Sequence, residues 1–350
     1  MSDTRTYRIG LIRGDGIGPE VLSEALRVLD AVSAAEGFTL ETTDYDLGAE
    51  RYLRSSEVLP ESVLGEIRSQ DSVLLGAVGD PRVPPGVLEI GLLLRLRQEL
   101  DLYVNLRPSR LYEGVPSALA GVTPADLNLT IVRENTEGLY AGKGDVTLAG
   151  PQEELATEVS INTTQAVRRV TEYAFELAAR EGRSLTMVHK VNVLERAGSL
   201  WQRVFKELAA NYPDVPTAYS HVDAAALLMV TQPRRFQVIV TDNLFGDILS
   251  DLAAGLVGGI GYVGSGNIHP QGLSVFEPVH GSAPDIAGTG KANPIGAVIS
   301  ASLMLRHLGE ESGAARIEAA VASVAGKVAG AQPDGASTRQ VGEWLAEAAG

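Results

Sequence analysis

The sequence predicts an α/β protein in which helices cover a largely parallel sheet. Strand-like apolar runs alternate with helical patterns along the chain, as they do in repeated βαβ units. Two of these runs, Ser72–Gly76 and Gln237–Thr241, are apolar enough to be strands buried on both faces. The 350 residues suffice for two domains or one large α/β domain with a sizeable core.

The elements follow in order from the N-terminus. A strand, Tyr7–Ile12, leads into the glycine turn Arg13–Gly18, and a helix starts at Pro19, where apolar residues recur at helical spacing. The remaining predicted strands are Thr39–Asp44, Ser72–Gly76, Ser184–Val188 and Gln237–Thr241. The remaining predicted helices are Pro60–Ser69, Thr163–Arg180, Ser199–Ala210 and Asn293–Leu308. A last helix begins at Ser337 with a capping-box pattern, and Gly255–Gly266 is the expected hinge or domain boundary.

Composition and charge exclude several classes of function. A net charge of −15 repels phosphate, which argues against nucleic acids and anionic membranes as partners. The apolar runs are shorter than the ~18–20 residues that span a bilayer, and the polar N-terminus does not resemble a secretory signal. The lack of cysteine excludes disulfides and thiolate metal ligands, so the expected compartment is the cytoplasm.

A few stretches are nevertheless locally basic. Arg95, Arg97, Arg107 and Arg110 are either parts of solvated helix faces or a binding site for a small polyanionic substrate. The turn Gly14–Gly18 has the pattern G-x-G-x-G instead of the dinucleotide-binding G-x-G-x-x-G. We therefore interpret it as a tight turn between strand and helix, with cofactor contact as the lesser alternative.

Three aspartates form a candidate metal site. Asp247 and Asp251 follow the strand that ends at Thr241 and lie four residues apart on one face of a helix. Like charges at that spacing weaken a helix by roughly 0.2–0.5 kcal/mol, a penalty that a bound cation would reverse. Without cysteine the ion would be Mg²⁺ or Mn²⁺, and the alternative is a solvent-facing acidic helix. Asp223 lies in an otherwise apolar stretch, where an unpaired carboxylate would be costly, and this favours a ligand role.

Other strand ends carry groups suited to proton transfer and anion binding. Lys190 follows the strand Ser184–Val188, where its amine either acts as a base or simply closes a strand edge. His189 is expected to be structural. Arg133 can grip a carboxylate with two hydrogen bonds, and Tyr140 can act as an acid.

The stretch Phe276–Gly288 is predicted to be a long irregular loop, completed by Asn293 before a helix. Its small residues let backbone amides approach a phosphate. Asp285 could accept a hydrogen bond from a ribose 2′-hydroxyl, which points to a dinucleotide.

Together these motifs resemble those of the β-decarboxylating dehydrogenases, the family of isopropylmalate, isocitrate, homoisocitrate and tartrate dehydrogenases. The similarity runs from Gly14–Glu20 to the final helix, essentially the whole chain. Its most specific parts are Thr241–Asp251, TDNLFGDILSD, and Phe276–Gly288, FEPVHGSAPDIAG. The segment Gly79–Glu89, GDPRVPPGVLE, is similar to the one in isopropylmalate dehydrogenases of actinobacterial type.

The resemblance implies a two-domain isopropylmalate/isocitrate dehydrogenase-like fold with a continuous central sheet. One domain, residues 1–102 plus 258–350, would bind the cofactor. The other, residues 103–257, would form a homodimer and hold the metal and the substrate. Each active site would then be shared between two subunits.

The resemblance also assigns roles to individual residues. Tyr140 would be the catalytic acid, and Asp247 and Asp251 would bind Mg²⁺ or Mn²⁺ together with Asp223 of the partner subunit. Lys190, also from the partner subunit, would be the catalytic base. Substrate contacts are expected from Arg97, Arg107, Arg133, Asp223, Leu93, Leu94, Ile90 and Asn192. NAD would be bound by Glu277, His280, Gly281, Ser282, Ala283, Pro284, Asp285, Ile286 and Asn293.

The implied reaction is the oxidative decarboxylation of 3-isopropylmalate to 4-methyl-2-oxopentanoate, in leucine biosynthesis. The alternative is the same chemistry on homoisocitrate, isocitrate, tartrate or a phosphonate analogue. The segment Asn135–Gly138 is similar to the one in isocitrate-type and homoisocitrate-type members, so it does not decide the substrate. Lys291 stands where isopropylmalate dehydrogenases often have an apolar residue. Ile90 stands where their actinobacterial relatives tend to have a basic residue. A catalytically silent regulatory subunit is disfavoured because Lys190, Tyr140 and the aspartates are all present.

Overall fold

The computed structural model describes residues 5–148, 150, 153–331 and 335–350. Strands and helices alternate along this part of the chain. The strands are β1 (Arg5–Gly14), β2 (Phe38–Asp44), β3 (Ser72–Ala77), β4 (Val104–Arg110), β5 (Asn128–Glu134), β6 (Gly138–Leu148), β7 (Glu154–Ile161), β8 (Leu185–His189), β9 (Thr217–His221), β10 (Val238–Thr241), β11 (Gly264–Ile268) and β12 (Val275–Pro278). The α-helices are α1 (Gly18–Glu36), α2 (Ala49–Ser55), α3 (Glu61–Ile67), α4 (Arg95–Glu99), α5 (Thr164–Glu181), α6 (Glu195–Ala209), α7 (Val222–Thr231), α8 (Asn243–Leu256), α9 (Ile295–His307), α10 (Glu311–Gly330) and α11 (Thr338–Ala349).

Ten of the strands form one mixed sheet in the order β2-β1-β3-β12-β11-β4-β5-β10-β8-β9. The pairs that β1 makes with β2 and β3 are parallel, as are those of β10 with β5 and β8, whereas β11 and β12 are antiparallel. The predicted α/β fold with a continuous central sheet is therefore confirmed. Strands β6 and β7 form a separate antiparallel hairpin.

The chain divides into two compact units. Unit 1 consists of Met1–Leu102, Arg107–Asn128 and Ala254–Gly350, and unit 2 consists of Tyr103–Leu106 and Leu129–Ala253. The predicted boundaries placed residues 107–128 and 254–257 in the central domain, whereas these residues belong to unit 1. The roles predicted for the two domains remain predictions.

The strands that position functional groups are buried as their sequences predict. Every residue of β3, β8 and β10 is buried, so the residue that follows each strand emerges at the edge of a rigid sheet. Helix α5 begins after Thr163, whose side chain accepts a hydrogen bond from the Ala166 amide, and Ser337 caps α11 in the same way. In the described ranges, no helix is long and apolar enough to cross a membrane.

Two sequence predictions need correction. The stretch Phe276–Gly288 is not wholly a loop, because Phe276, Glu277 and Pro278 belong to β12. The stretch Gly255–Gly266 is not wholly a hinge, because Gly264 begins the buried strand β11. Adding a Cβ at Gly264 would bring it to 2.6 Å from the Ser300 amide nitrogen, so glycine there permits close packing of a helix on the sheet.

Candidate functional site

Arg133 is the centre of a charged network within unit 2. Its side chain is only 1% exposed at the end of β5. Its Nε and one terminal nitrogen donate to Oδ1 of Asn243, at 3.0 and 2.7 Å, and the other terminal nitrogen pairs with Asp247. A Cβ on Gly246 would lie 2.7 Å from the Arg133 Cβ, so only glycine lets the arginine pass this close to α8. The guanidinium is therefore fixed beside a carboxylate.

Tyr140 contacts the same network. Its hydroxyl donates to Oδ2 of Asp247 at 2.9 Å, and the Arg133 guanidinium carbon lies 5.0 Å from the centre of its ring. Burial raises the pKa of Tyr140 above its usual value, and the Asp247 carboxylate raises it further. The phenol therefore keeps its proton at neutral pH, as a general acid must. Three residues from three separate elements, β5, β6 and α8, are thus brought together.

Lys190 and Asp223 form a second pair in unit 2. Strands β8 and β9 are parallel with His189 opposite His221, which places the residues after the two strands side by side. The Lys190 ammonium lies 2.5 Å from Oδ1 of Asp223. The argument that a carboxylate at Asp223 would be costly does not hold, because its side chain is 67% exposed and paired with Lys190, and its role as a metal ligand stays a prediction.

The metal prediction concerns Asp247 and Asp251 of α8 together with Asp223. Their donor atoms are carboxylate oxygens, which fit Mg²⁺ or Mn²⁺. Across the part of the chain that the structure describes, no three His, Cys, Asp or Glu side chains are grouped closely enough to hold a metal ion. A single chain therefore does not gather the full predicted ligand set.

A buried histidine and a buried aspartate lie behind these groups. His189 is fully buried between Trp201 and Phe245, and its Nε2 lies 3.6 Å from Oδ2 of Asp242. Neither ring nitrogen of His189 has a hydrogen-bond partner among the described residues. Burial lowers the pKa of His189 to about 4 and raises that of Asp242 to about 7. Burial therefore favours the neutral form of both side chains.

In unit 1, Arg97 and Glu277 face each other across a small cavity. A terminal nitrogen of Arg97 lies 3.5 Å from Oε1 of Glu277, which also accepts a 2.7 Å hydrogen bond from Asn267. Both charged side chains are largely buried, at 11% and 13% exposure. The remaining walls are apolar apart from Asn267 and are formed by Leu75, Leu93, Leu96, Leu102 and Val275. A predicted substrate residue and a predicted cofactor residue therefore share one cavity.

The segment before Arg97 is a single π-helical stretch, Glu89–Leu94, followed by α4. π-Helical turns of this kind often occur at functional sites. Ile90 is 64% exposed, whereas Leu93 and Leu94 are half-buried. Arg95 is held by the Leu59 carbonyl oxygen, at 2.6 Å, and by Glu61. This side chain therefore adds no free positive charge to the apolar segment.

The predicted cofactor loop follows β12 and packs on the glycine turn after β1. The Ile17 amide donates to the Ser282 carbonyl oxygen at 2.8 Å, and a Cβ on Gly16 would lie 1.9 Å from that oxygen. The turn thus has the structural role expected from its pattern. His280 is buried, its Nδ1 lies 3.0 Å from the Gly281 carbonyl oxygen, and its Nε2 has no hydrogen-bond partner among the described residues.

The other predicted loop residues differ in their availability to a ligand. Gly281, Pro284 and Asp285 are exposed, and Ala283, Ile286 and Asn293 are half-buried. Asn293 already accepts a 3.1 Å hydrogen bond from the Ile295 amide at the start of α9. An exposed carboxylate at Asp285 and an unsatisfied nitrogen on His280 fit the polar edge of a dinucleotide.

The two remaining predicted substrate residues have contrasting surroundings. Arg107 is buried on β4 in unit 1. Asn192 is exposed in the turn after Lys190.

The structure also identifies residues that sequence reasoning did not assign. Asn243 is fully buried, binds Arg133 and donates from Nδ2 to the Glu137 carbonyl oxygen at 3.0 Å. Asp15 is buried and accepts hydrogen bonds from the Ala49 and Gly79 amides, at 2.8 and 2.9 Å. Asn243 lies in the motif Thr241–Asp251 and Asp15 in the motif Gly14–Glu20. A polar residue to which the motif assigns no ligand is the sequence signal that could have identified each of them.

Comparison with known proteins gives a consistent result. A family model described as isocitrate/isopropylmalate dehydrogenase matches residues 8–342. The chain is 59% identical to the 3-isopropylmalate dehydrogenase of Thermobifida fusca over 321 residues, 91% of each chain. It is 55% identical to the 3-isopropylmalate dehydrogenase of Nocardia farcinica over 343 residues, which are 97% of this chain and 99% of that one.

Solved structures with similar folds carry related descriptions. The isocitrate dehydrogenase of Methylococcus capsulatus is 38% identical, with a TM-score of 0.89 over 98% of this chain and 99% of that chain. A β-decarboxylating dehydrogenase of Thermococcus kodakarensis is 36% identical, with a TM-score of 0.78 over 98% and 96% of the two chains.

Proposed function

Because the chain belongs to the isocitrate/isopropylmalate dehydrogenase family, we propose that it is an NAD-dependent β-decarboxylating dehydrogenase acting on 3-isopropylmalate. The product would be 4-methyl-2-oxopentanoate, a precursor in leucine biosynthesis. The observation that carries the choice of substrate is the 54–59% identity to 3-isopropylmalate dehydrogenases over at least 90% of the chain. The solved isocitrate dehydrogenase is less similar, at 38%.

The apolar segment of unit 1 supports this substrate. Leu93 faces the cavity that Arg97 lines, and Leu94 and Ile90 lie on the same π-helical stretch. An isopropyl group gains about 0.8 kcal/mol for each buried CH₂, whereas an ionised carboxylate buried there would lose several kcal/mol of hydration. Because Glu61 neutralises Arg95, that arginine does not compensate a third carboxylate.

The predicted cofactors fit the donors that the structure offers. When bound, a divalent ion would polarise the substrate's 2-oxygen, and the nicotinamide would accept the hydride from C2. Asp247 and Asp251 would hold the ion with Asp223 of the partner subunit. The loop from Gly281 to Asn293, with Glu277 and His280, would hold NAD.

The chain's own residues would then bind the substrate and move two protons. Arg97, Arg107 and Arg133 would hold the carboxylates, with Asn192 a further contact. With Asp223 bound to the metal instead of to its amine, Lys190 of the partner subunit would act as the neutral amine and take the proton of the 2-hydroxyl while C2 is oxidised. After the β-carboxylate leaves as CO₂, Tyr140 would donate its proton to C3 of the product. The position of its hydroxyl, which donates to Asp247 at 2.9 Å within the Arg133 network, supports this role.

We also propose a homodimer with shared sites, supported by exposed apolar side chains of unit 2. The hairpin β6–β7 exposes Val146, Leu148, Leu155 and Val159, at 50–70%. Val146 pairs with Ala156, and Thr147 with Leu155, so the two strands present apolar residues on opposite faces. A lone hairpin is marginal in water, which favours cover by a second copy on both faces. Further exposed apolar residues of this unit are Val193, Leu194, Leu227, Val230 and Ile248.

The proposed function is tested with a panel of 3-substituted malates, using NAD⁺ and Mn²⁺. We expect 3-isopropylmalate to exceed isocitrate in kcat/KM by at least ~100-fold, about 2.7 kcal/mol. Homoisocitrate, tartrate and a phosphonate analogue complete the panel. If one of these is the best substrate, the reading of the apolar segment is wrong, although the metal and hydride chemistry stands.

A further inference from the structure

One tyrosine hydroxyl contacts the peptide groups on both sides of Lys190. The hydroxyl of Tyr219 lies 3.2 Å from the carbonyl oxygen of His189 and 3.4 Å from the amide nitrogen of Val191. These are the neighbours of Lys190 in the chain. Tyr219 belongs to β9 and pairs in register with Met187, so its side chain reaches forward to the point where β8 ends.

The third contact of this hydroxyl defines where its proton goes. Nδ1 of His221 lies 2.7 Å from the Tyr219 oxygen, and the two rings meet edge to face. A hydroxyl has one proton and two lone pairs. All three contacts are satisfied if the hydroxyl donates to the His189 carbonyl and accepts from the Val191 amide and from His221 in the tautomer that carries its hydrogen on Nδ1.

The backbone of Lys190 is also held from its other side. Its carbonyl oxygen accepts hydrogen bonds from the amides of Val193 and Leu194, at 3.0 and 2.8 Å. The Tyr219 hydroxyl also holds the two peptide groups that flank Lys190. With its backbone held in this way, Lys190 can move mainly by rotation of its side-chain bonds. The parallel pairing of β8 and β9 is already made by the strand backbones, so the strands do not need this hydroxyl to pair.

We propose that Tyr219 is a positioning residue for Lys190, whose flanking peptides it fixes so that the amine is directed at the substrate's 2-hydroxyl. The inference rests on the proposed function, because it requires Lys190 to be the base. A misplacement of a catalytic group by about 1 Å costs on the order of 100-fold in rate, so a backbone anchor for a base has a measurable effect.

The test replaces Tyr219 by Phe, which keeps the ring and removes the three contacts. Tyr212→Phe is the matched control, because Tyr212 stacks on Phe175 and its hydroxyl makes no hydrogen bond to a residue that the structure describes. We expect Tyr219→Phe to lower kcat about tenfold with KM for substrate and NAD⁺ within about twofold, and the control to change neither. With substrate deuterated at C2, the isotope effect on kcat should rise only in Tyr219→Phe, because hydride transfer becomes slower.

A double-mutant cycle separates positioning from a general structural role. If Tyr219 acts through Lys190, adding Tyr219→Phe to Lys190→Met lowers the residual rate no further. An equal fall in both backgrounds, an unchanged kcat in Tyr219→Phe, or a rise confined to KM overturns the inference. If Lys190→Met keeps its full kcat, the proposed role of Lys190 fails first. If Tyr219→Phe keeps a normal kcat while Lys190→Met does not, the proposed function stands and only the inference about Tyr219 fails.

Discussion

Unit 2 and the cofactor loop of unit 1 hold their functional side chains in different ways. In unit 2 they contact one another directly, since Asp247 binds both Arg133 and Tyr140, and Lys190 binds Asp223. In the cofactor loop of unit 1, Asp285 is exposed. In this comparison, the groups proposed for proton transfer are paired in advance, whereas the Asp285 carboxylate of the cofactor loop remains available to a ligand. Changes in unit 2 should therefore alter kcat, and changes in the loop should alter KM.

Removal of divalent metal is expected to have the largest effect. Chelation should abolish turnover and leave NAD⁺ binding intact, because the metal aspartates belong to unit 2 and the cofactor loop to unit 1. Turnover is measured before and after Mg²⁺ or Mn²⁺ is added back, and NAD⁺ binding is measured by calorimetry. Full activity without metal would contradict the proposed metal dependence. Loss of NAD⁺ binding on chelation would contradict the assignment of metal binding to unit 2 and cofactor binding to unit 1.

Lys190→Met should lower kcat by about 1,000-fold, because a general base typically contributes 10²–10⁴ in rate. Single-turnover assays should show no NADH burst, since hydride transfer needs the 2-hydroxyl deprotonated. The matched control is Lys206→Met, an exposed lysine on α6, which should be near normal. A normal burst in Lys190→Met contradicts the assigned role.

Tyr140→Phe should lower overall kcat by about 100-fold, again within the range of general acid catalysis. The first NADH burst should remain, because protonation of C3 follows oxidation. Tyr212→Phe is again the control. Loss of the burst in Tyr140→Phe would instead assign Tyr140 to the oxidation step.

The smallest effect concerns cofactor choice in the exposed loop. The carboxylate of Asp285 accepts a hydrogen bond from a 2′-hydroxyl but repels a 2′-phosphate, so NAD⁺ should exceed NADP⁺ in kcat/KM by about tenfold or more. Asp285→Asn should narrow the difference through KM, with kcat unchanged. Equal values in the native enzyme would mean that the exposed Lys291 offsets Asp285, and Lys291→Leu would then restore the preference.

The sequence predicts best those elements whose apolar pattern is satisfied within their own unit. Strands β3 and β10 and helix α5 are found where periodicity and capping place them. The hairpin β6–β7 is absent from the predictions because its apolar residues are exposed on both faces. Helix α7 is also absent because it is apolar nearly all round and shows no helical periodicity, although it buries only Ala225 and Met229.

The site shows the same limit. Sequence motifs name Arg133, Asp247 and Tyr140, but the contacts of Asp247 with the other two join residues more than a hundred positions apart. Asn243 stands inside a recognised motif, yet its bonds to Arg133 are visible only once β5 and α8 are placed. The pairing of Lys190 with Asp223 follows from the register of β8 and β9, which no local pattern specifies.

The buried pair of His189 and Asp242 has a consequence for acid tolerance. Unfolding returns their pKa values from about 4 and about 7 to the ordinary 6.5 and 3.8. Between about pH 4 and 6.5, the folded chain carries one proton on Asp242 and the unfolded chain carries one on His189.

Folding thus moves a proton from an imidazole to a carboxylate without changing the number bound, and the pair contributes almost no pH dependence to stability there. His189 alone would lose stability as the pH falls through this window. Asp242→Asn should therefore make the free energy of unfolding fall on mild acidification, and denaturant titrations at several pH values would reveal a slope that the native pair conceals.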